Sequence, residues 1–213
     1  MKYTIFVNII SLFTILILGL GCTKCREIKR VVLSYENITI YSDLSNRLSK
    51  NPNDKVVIDQ IKNYFVKDCV KPGQKTNDRS SLAFSRMNFF NSNCGTSKID
   101  IEAVGNLMEK SKFVNNKGQG ATLKKALAEF TDVVNCSYLE TDSVGLDILS
   151  LLYNEVNSGN PIKFSNSVFD GCDSTIYQKR NHIFIFTDGY LEFSRKDGNV
   201  NLYFGRPEID RVS

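Results

Sequence analysis

The sequence has a single histidine, His182, and it lacks the short motifs that mark most enzyme classes. It contains no P-loop glycine–lysine signature, no HExxH zinc motif and no GxSxG nucleophile motif. Acid–base catalysis at neutral pH most often uses histidine, so a lone histidine beside an apolar run leaves little catalytic machinery. The sequence therefore predicts that the protein is not an enzyme.

The sequence also lacks a strong excess of charge of either sign. Its 213 residues carry 27 basic and 23 acidic side chains, and the basic ones are scattered along the chain. A nucleic-acid-binding domain usually concentrates its cations on one face, so this distribution argues against nucleic acid as a partner. With 42% hydrophobic residues, the composition is that of an ordinary globular protein.

The first 21 residues have the layout of a secretory signal peptide. Lys2 supplies positive charge, and the apolar run Ile5 to Leu20 is too short to predict a membrane-spanning helix. The run ends at Leu18-Gly19-Leu20-Gly21-Cys22, which resembles the lipobox of bacterial lipoprotein precursors. In that family the cysteine is lipidated and becomes the first mature residue, so the resemblance implies a lipid anchor on Cys22. Gly19 departs from the family pattern, in which leucine is usual at that position.

An uncleaved signal anchor is the alternative for this segment, and it would also place the rest of the chain outside the cytoplasm. We therefore expect a membrane-anchored protein on the extracytoplasmic side of a bacterial cell envelope. The cations between Lys24 and Arg30 would then lie beside anionic head groups. Residues 22–35 are predicted to form a tether, and residues 36–213 are predicted to form the folded domain.

Four further cysteines lie in the predicted domain, and their spacing matches no zinc-binding pattern. An exported protein can pair four cysteines in three different ways, which the sequence leaves open. These cysteines are Cys69, Cys94, Cys136 and Cys172. Cys25 forms a CxxC sequence with Cys22, but a signal segment stands where a thioredoxin-type redox motif would need a strand.

Hydrophobic periodicity predicts alternating strands and helices. Strands are predicted at 37–41, 82–90 and 183–186, and helices at 54–69, 102–112, 122–135 and 142–157. The continuous apolar run Ile183 to Phe186 is typical of a strand buried on both faces of a parallel sheet. We therefore predict an α/β fold with a doubly wound, mostly parallel sheet and helices on both faces.

Three polar loops stand at the predicted ends of strands or starts of helices. They are Asp43-Leu44-Ser45-Asn46-Arg47, Gly118-Gln119-Gly120-Ala121-Thr122 and Thr187-Asp188-Gly189. Loops at the carboxyl ends of neighbouring strands in a doubly wound sheet meet in one crevice, where ligands bind. We therefore expect these three loops to converge on one edge of the sheet.

Together the loops resemble the metal-ion-dependent adhesion site of the von Willebrand factor A family. The residues that match the family's metal ligands in type and order are Asp43, Ser45, Thr122 and Asp188. The resemblance covers about residues 36–190 and implies a von Willebrand factor A-like fold. Only 24 residues follow Gly189, so we expect a domain that is either trimmed at its C-terminus or cut short by the bounds of this sequence. The resemblance also implies bound magnesium or manganese, which hydroxyl and carboxylate oxygens suit. A protein partner would then supply an acidic side chain to the cation.

Arg47 replaces the second serine of the family motif, and this difference leaves two functions open. A cation that binds despite the lost hydroxyl would make the protein a cation-dependent protein-binding domain. An Arg47 guanidinium that substitutes for the cation, by pairing with Asp43 or Asp188, would make it a metal-free structural or interaction lipoprotein. A metal-dependent hydrolase using the two aspartates is a third alternative, which the shortage of acid–base residues disfavours.

Overall fold

The computed structural model describes residues 29–44, 52–75, 77–86, 93–140, 157, 162–171 and 173–187. The described strands form one sheet in the order β3-β2-β1-β5-β4. They are β1 (Arg30–Ser42), β2 (Ser81–Arg86), β3 (Ser97–Asp100), β4 (Asn166–Asp170) and β5 (Asp173–Phe186). The described helices are α1 (Pro52–Tyr64), which a π-helical segment (Phe65–Val70) continues, α2 (Leu107–Val114) and α3 (Leu123–Leu139).

The chain divides into two compact units, which strands β1 and β5 both enter. The smaller unit contains, of the described residues, 29–33 and 166–176. The larger unit contains 34–165 and the chain from Tyr177 onward. The hydrophobic core belongs to the larger unit, where Phe65, Phe84 and Phe130 are almost fully buried.

Strand β1 lies between two parallel neighbours. Ile38 pairs in register with Leu82 of β2, and the chain returns between these parallel strands through α1, as a parallel connection requires. Contacts between β1 and β5 join residues 144 apart all along the strands, from Ser34–Gln178 to Asp43–Thr187. A constant separation of this kind is the mark of parallel strands, so β1 and β5 end at the same edge of the sheet.

The predicted doubly wound, mostly parallel sheet with helices on both faces is wrong, and so is the von Willebrand factor A-like fold based on it. Strand β3 runs antiparallel to β2, because the ten residues between Arg86 and Ser97 are too few for a helical crossover. The sheet is therefore mixed. The described part of the chain has only three α-helices. Ile183, Phe184 and Ile185 stay 37–38% exposed, so the apolar run is not buried on both faces.

Several local predictions differ from the structure in their bounds. Strand β1 begins at Arg30, so residues predicted to belong to a tether pair with β5 instead. The helix predicted at 54–69 is confirmed, although its last turn is π-helical. The predicted signal peptide, the helix at 142–157 except for Asn157, and the C-terminal residues after Gly189 lie outside the described residues. Within those described ranges, no helix is both long enough and apolar enough to cross a membrane.

Candidate binding site at the ends of β1 and β5

Asp43 and Thr187 lie side by side where the parallel strands β1 and β5 end. The Asp43 N–H donates a hydrogen bond to the Phe186 carbonyl oxygen (2.8 Å), and the Thr187 hydroxyl donates one to Asp43 Oδ2 (3.5 Å). Asp43 is only 2% exposed. Burying a carboxylate is costly unless hydrogen bonds or charges compensate for it, and the Thr187 hydroxyl supplies one such bond.

Three of the predicted ligands and substitutes cannot be placed beside Asp43. Ser45, Arg47 and Asp188 lie outside the described residues, as does the predicted lipidation site Cys22. Asp188 follows Thr187 directly in the sequence. Of the two aspartates that the sequence predicts at this edge of the sheet, the structure therefore describes only Asp43.

Thr122 lies at the other end of helix α3 from the contacts that this helix makes with β1. At the C-terminal end of α3, the Tyr138 hydroxyl lies 3.1 Å from the hydroxyl of Ser42, the residue before Asp43. Thr122 precedes Tyr138 by 16 residues, which corresponds to about 24 Å of helix. Its hydroxyl oxygen accepts a hydrogen bond from the Lys125 N–H (3.3 Å) and so caps the helix.

Contacts between α1 and α3 fix the direction of α3 independently. The Lys62 ammonium, near the end of α1, donates a hydrogen bond to the Thr131 hydroxyl in the middle of α3 (3.0 Å). Asp54, in the first turn of α1, hydrogen-bonds with Tyr138 near the end of α3. The two helices are therefore antiparallel, and Thr122 lies beyond the end of α1 that is remote from Ser42. The structure does not bring Thr122 to Asp43.

Of the predicted magnesium or manganese ligands, only Asp43 and Thr122 lie among the described residues, and these two lie apart. Such a cation is held by several oxygen ligands in a near-octahedral arrangement. Here Thr122 is at the wrong end of its helix, and the Thr187 hydroxyl already donates to Asp43 Oδ2. This end of the sheet is better described as a polar edge at which the chain's own side chains bond to one another.

Cys94 and Cys136 form a disulfide that ties α3 to the segment before β3. Together with Glu140 they are the one group of described side chains with the spacing of metal ligands. A disulfide leaves no thiolate to bind a metal, so this group is not a metal centre in the oxidised protein. Cys69 is free and buried, and burial, followed by the charge of Glu36, raises the pKa of its thiol to about 11.

His182 forms part of a charged group that the sequence did not indicate. Glu36 of β1 is buried and bonds to the guanidinium of Arg180 and, at 2.7 Å, to Nε2 of His182, both on β5. Arg180 and His182 are two residues apart in a strand and so project to the same face. The polar run Gln178 to His182 in β5 was visible in the sequence, but its partner Glu36 could be identified only from the β1–β5 register.

A second charged group lies near the start of β2 and beside the middle of β1, away from Asp43. Glu102 bonds to Lys179 (2.6 Å) and Arg79 (3.3 Å), and the Arg79 guanidinium stacks on the Tyr177 ring. The side chain of Lys110 in α2 is buried nearby, and burial, followed by the charge of Arg79, lowers its pKa. Its neighbours are far apart in sequence, so no local pattern could have revealed the group.

Comparisons with known proteins give no relative for this chain: no protein-family model, curated protein or solved structure matches it. The lipobox and adhesion-site resemblances therefore remain predictions from the residues that carry them.

Proposed function

We propose that the protein is a membrane-anchored extracytoplasmic lipoprotein whose folded part is a metal-free interaction or structural domain, not an enzyme. The observation that carries the metal-free choice is the position of Thr122, about 24 Å along α3 from the contact with Ser42. A cation at Asp43 would lose this ligand as well as the serine that Arg47 replaces. The partner in this proposal is a protein, since the scattered cations do not favour nucleic acid.

Two features support the extracytoplasmic location. The first is the lipobox-like sequence that ends at Cys22. The second is the Cys94–Cys136 disulfide, because disulfides persist mainly in oxidising compartments outside the cytoplasm. These features are independent, since one concerns the N-terminal segment and the other the folded part of the chain.

Metabolic labelling with an alkyne-tagged fatty acid in a bacterial host tests the lipid anchor. We expect the wild-type chain to be labelled and to fractionate with membranes, whereas Cys22→Ala should lose the label. Cys25→Ala is the matched control, because it removes a cysteine three residues away and should keep the label. Equal labelling of wild type and Cys22→Ala would show that the lipid is not on Cys22.

The second candidate function is cation-dependent protein binding, which the contact between Asp43 and Thr187 favours because it places two oxygen atoms together where β1 and β5 end. Calorimetric titration of the full chain in detergent with MnCl₂ or MgCl₂ distinguishes the two candidates. The metal-free proposal expects the same small heats for wild type and Asp43→Ala. Saturable binding by wild type that Asp43→Ala abolishes would overturn it in favour of the second candidate.

A further inference from the structure

The smaller compact unit exposes apolar side chains on both faces of its strands. Its part of β1 carries Val31, Val32 and Leu33, and β4 carries Val168 and Phe169. All five are at least 36% exposed, and Phe169 reaches 67%. Successive residues of a strand point to opposite faces, so both faces of these two segments carry exposed apolar side chains.

Exposed apolar groups of this kind need an explanation. Soluble monomers rarely expose contiguous apolar patches, and such patches usually mark contacts with a membrane or another protein. The described part of the unit consists of residues 29–33, strand β4 with Gly171, and residues 173–176 of β5. These described residues contain no helix that could bury the apolar side chains. The position of this unit in the chain indicates which of the two contacts applies.

The described part of this unit begins at Lys29, seven residues after the predicted lipidation site Cys22. A chain segment spans at most about 3.6 Å per residue, so Lys29 can be no more than about 25 Å from Cys22. A lipid on Cys22 would therefore hold Val31, Val32 and Leu33 within reach of the head groups. Lys24, Arg26, Lys29 and Arg30 also lie in this stretch, against the single acidic residue Glu27, and anionic lipids attract such a cluster.

We propose that the smaller unit lies on the lipid bilayer, with Val168 and Phe169 of β4 and the first residues of β1 inserted among the head groups. The inference rests on the lipid anchor of the proposed function and adds to it a second contact with the membrane. Apolar and aromatic side chains on a rigid strand would then fix the orientation of the anchor segment. There are two competing outcomes. In one, a second copy of the chain covers the same side chains, and in the other a different protein covers them.

The absence of tryptophan from the sequence makes a site-specific test available. Phe169→Trp places the protein's only tryptophan on β4, and Met108→Trp places it on α2 of the larger unit as a matched control. The two positions are equally exposed, at 67% and 66%. The full lipidated chain is reconstituted into phosphatidylethanolamine–phosphatidylglycerol vesicles with and without brominated acyl chains, after circular dichroism has shown that each variant folds.

We expect brominated lipid to quench the tryptophan fluorescence of Phe169→Trp at least twice as strongly as that of Met108→Trp. The emission of Phe169→Trp should shift to the blue only when vesicles are present. Equal quenching of the two variants would overturn the proposal. A blue shift that grows with protein concentration before vesicles are added would also overturn it, because it would show that a second copy covers β4. Val168→Trp, on the other face of the strand, replaces Phe169→Trp if the latter does not fold.

Intact mass of the reconstituted protein separates this inference from the proposed function. A chain without acyl mass on Cys22 would contradict the anchor, whereas quenching at β4 reports the surface contact whether or not the acyl chain is found. Strong quenching without an acyl chain would keep the membrane contact and reject the lipoprotein. An acylated chain without quenching would keep the lipoprotein and reject the contact.

Discussion

Thr187 and Asp43 occupy equivalent positions on two parallel strands, and the hydroxyl of one lies 3.5 Å from the carboxylate of the other. The Asp43 N–H also donates a hydrogen bond to the carbonyl oxygen of Phe186, the residue before Thr187. This pairing sets the register of the two strands at their final residues. It also means that any change at Thr187 acts on a carboxylate that is almost fully buried.

Thr187→Val removes the hydroxyl while keeping the β-branched shape. We expect the free energy of unfolding to fall by about 1–2 kcal/mol, because a buried carboxylate loses a donor. Urea denaturation at neutral pH measures the change, and Thr175→Val on the same strand is the control. Equal unfolding free energies for Thr187→Val and wild type would show that the contact contributes nothing to stability.

The sequence predicted the positions of several elements because hydrophobic periodicity is a local property. The helix around Ile61 and Phe65 and the strand around Ile38 and Ile40 appear where the patterns indicate them. The arrangement of the elements depends on connections instead. The short link before β3 makes that strand antiparallel, and α3 then runs with its C-terminus toward Ser42.

The separation of Thr122 from Asp43 has the same cause. Asp43 follows its strand directly, so its place at the sheet edge could be predicted from the strand alone. The place of Thr122 depended on the direction of α3, which the loop sequence Gly118 to Thr122 does not encode. Thr122 shows the ordinary chemistry of a helix N-cap, and a sequence match to a ligand pattern cannot distinguish these two roles.

The Cys94–Cys136 disulfide joins residues 42 apart and is expected to stabilise the fold. Replacing both cysteines by serine should lower the free energy of unfolding by about 2–4 kcal/mol, because the unfolded chain regains the freedom that the cross-link removed. Dithiothreitol should lower the melting temperature of wild type and of Cys69→Ala alike. Dithiothreitol should leave the melting temperature of the double-serine variant unchanged. A lower melting temperature of that variant in dithiothreitol would show that a different disulfide stabilises the fold.

Lys110 is 8% exposed, and burial, followed by the charge of Arg79, lowers the pKa of its ammonium. Burial and this neighbouring positive charge therefore disfavour the charged form of Lys110 in the folded protein. Lys110→Met keeps the length of the side chain and removes the charge. We expect the free energy of unfolding at pH 7 to rise, whereas Lys112→Met, at an exposed position on the same helix, should change it little.

The pH dependence of the Lys110 effect has a defined sign. Between the lowered pKa and the ordinary value of 10.5, the unfolded chain keeps the Lys110 proton while the folded chain releases it. Stability therefore rises with pH over this interval for wild type relative to Lys110→Met. The advantage of the variant should shrink as the pH approaches 10.5, and an advantage that grows with pH would contradict a lowered pKa for Lys110.

Cys69 gives the opposite dependence, since burial raises the pKa of its thiol from 9.0 to about 11. Below pH 9 the thiol is protonated in both states and its contribution to stability is complete. As the pH rises through 9 to about 11, the unfolded chain ionises first, and the folded state loses that contribution. Urea denaturation of wild type and Cys69→Val at pH 8 and pH 10.5 measures the loss as a difference that cancels the ionisation of other groups. We expect wild type to lose about 2 kcal/mol relative to the variant between these pH values, and a constant difference would mean that the Cys69 thiol ionises as easily in the folded protein as in the unfolded one.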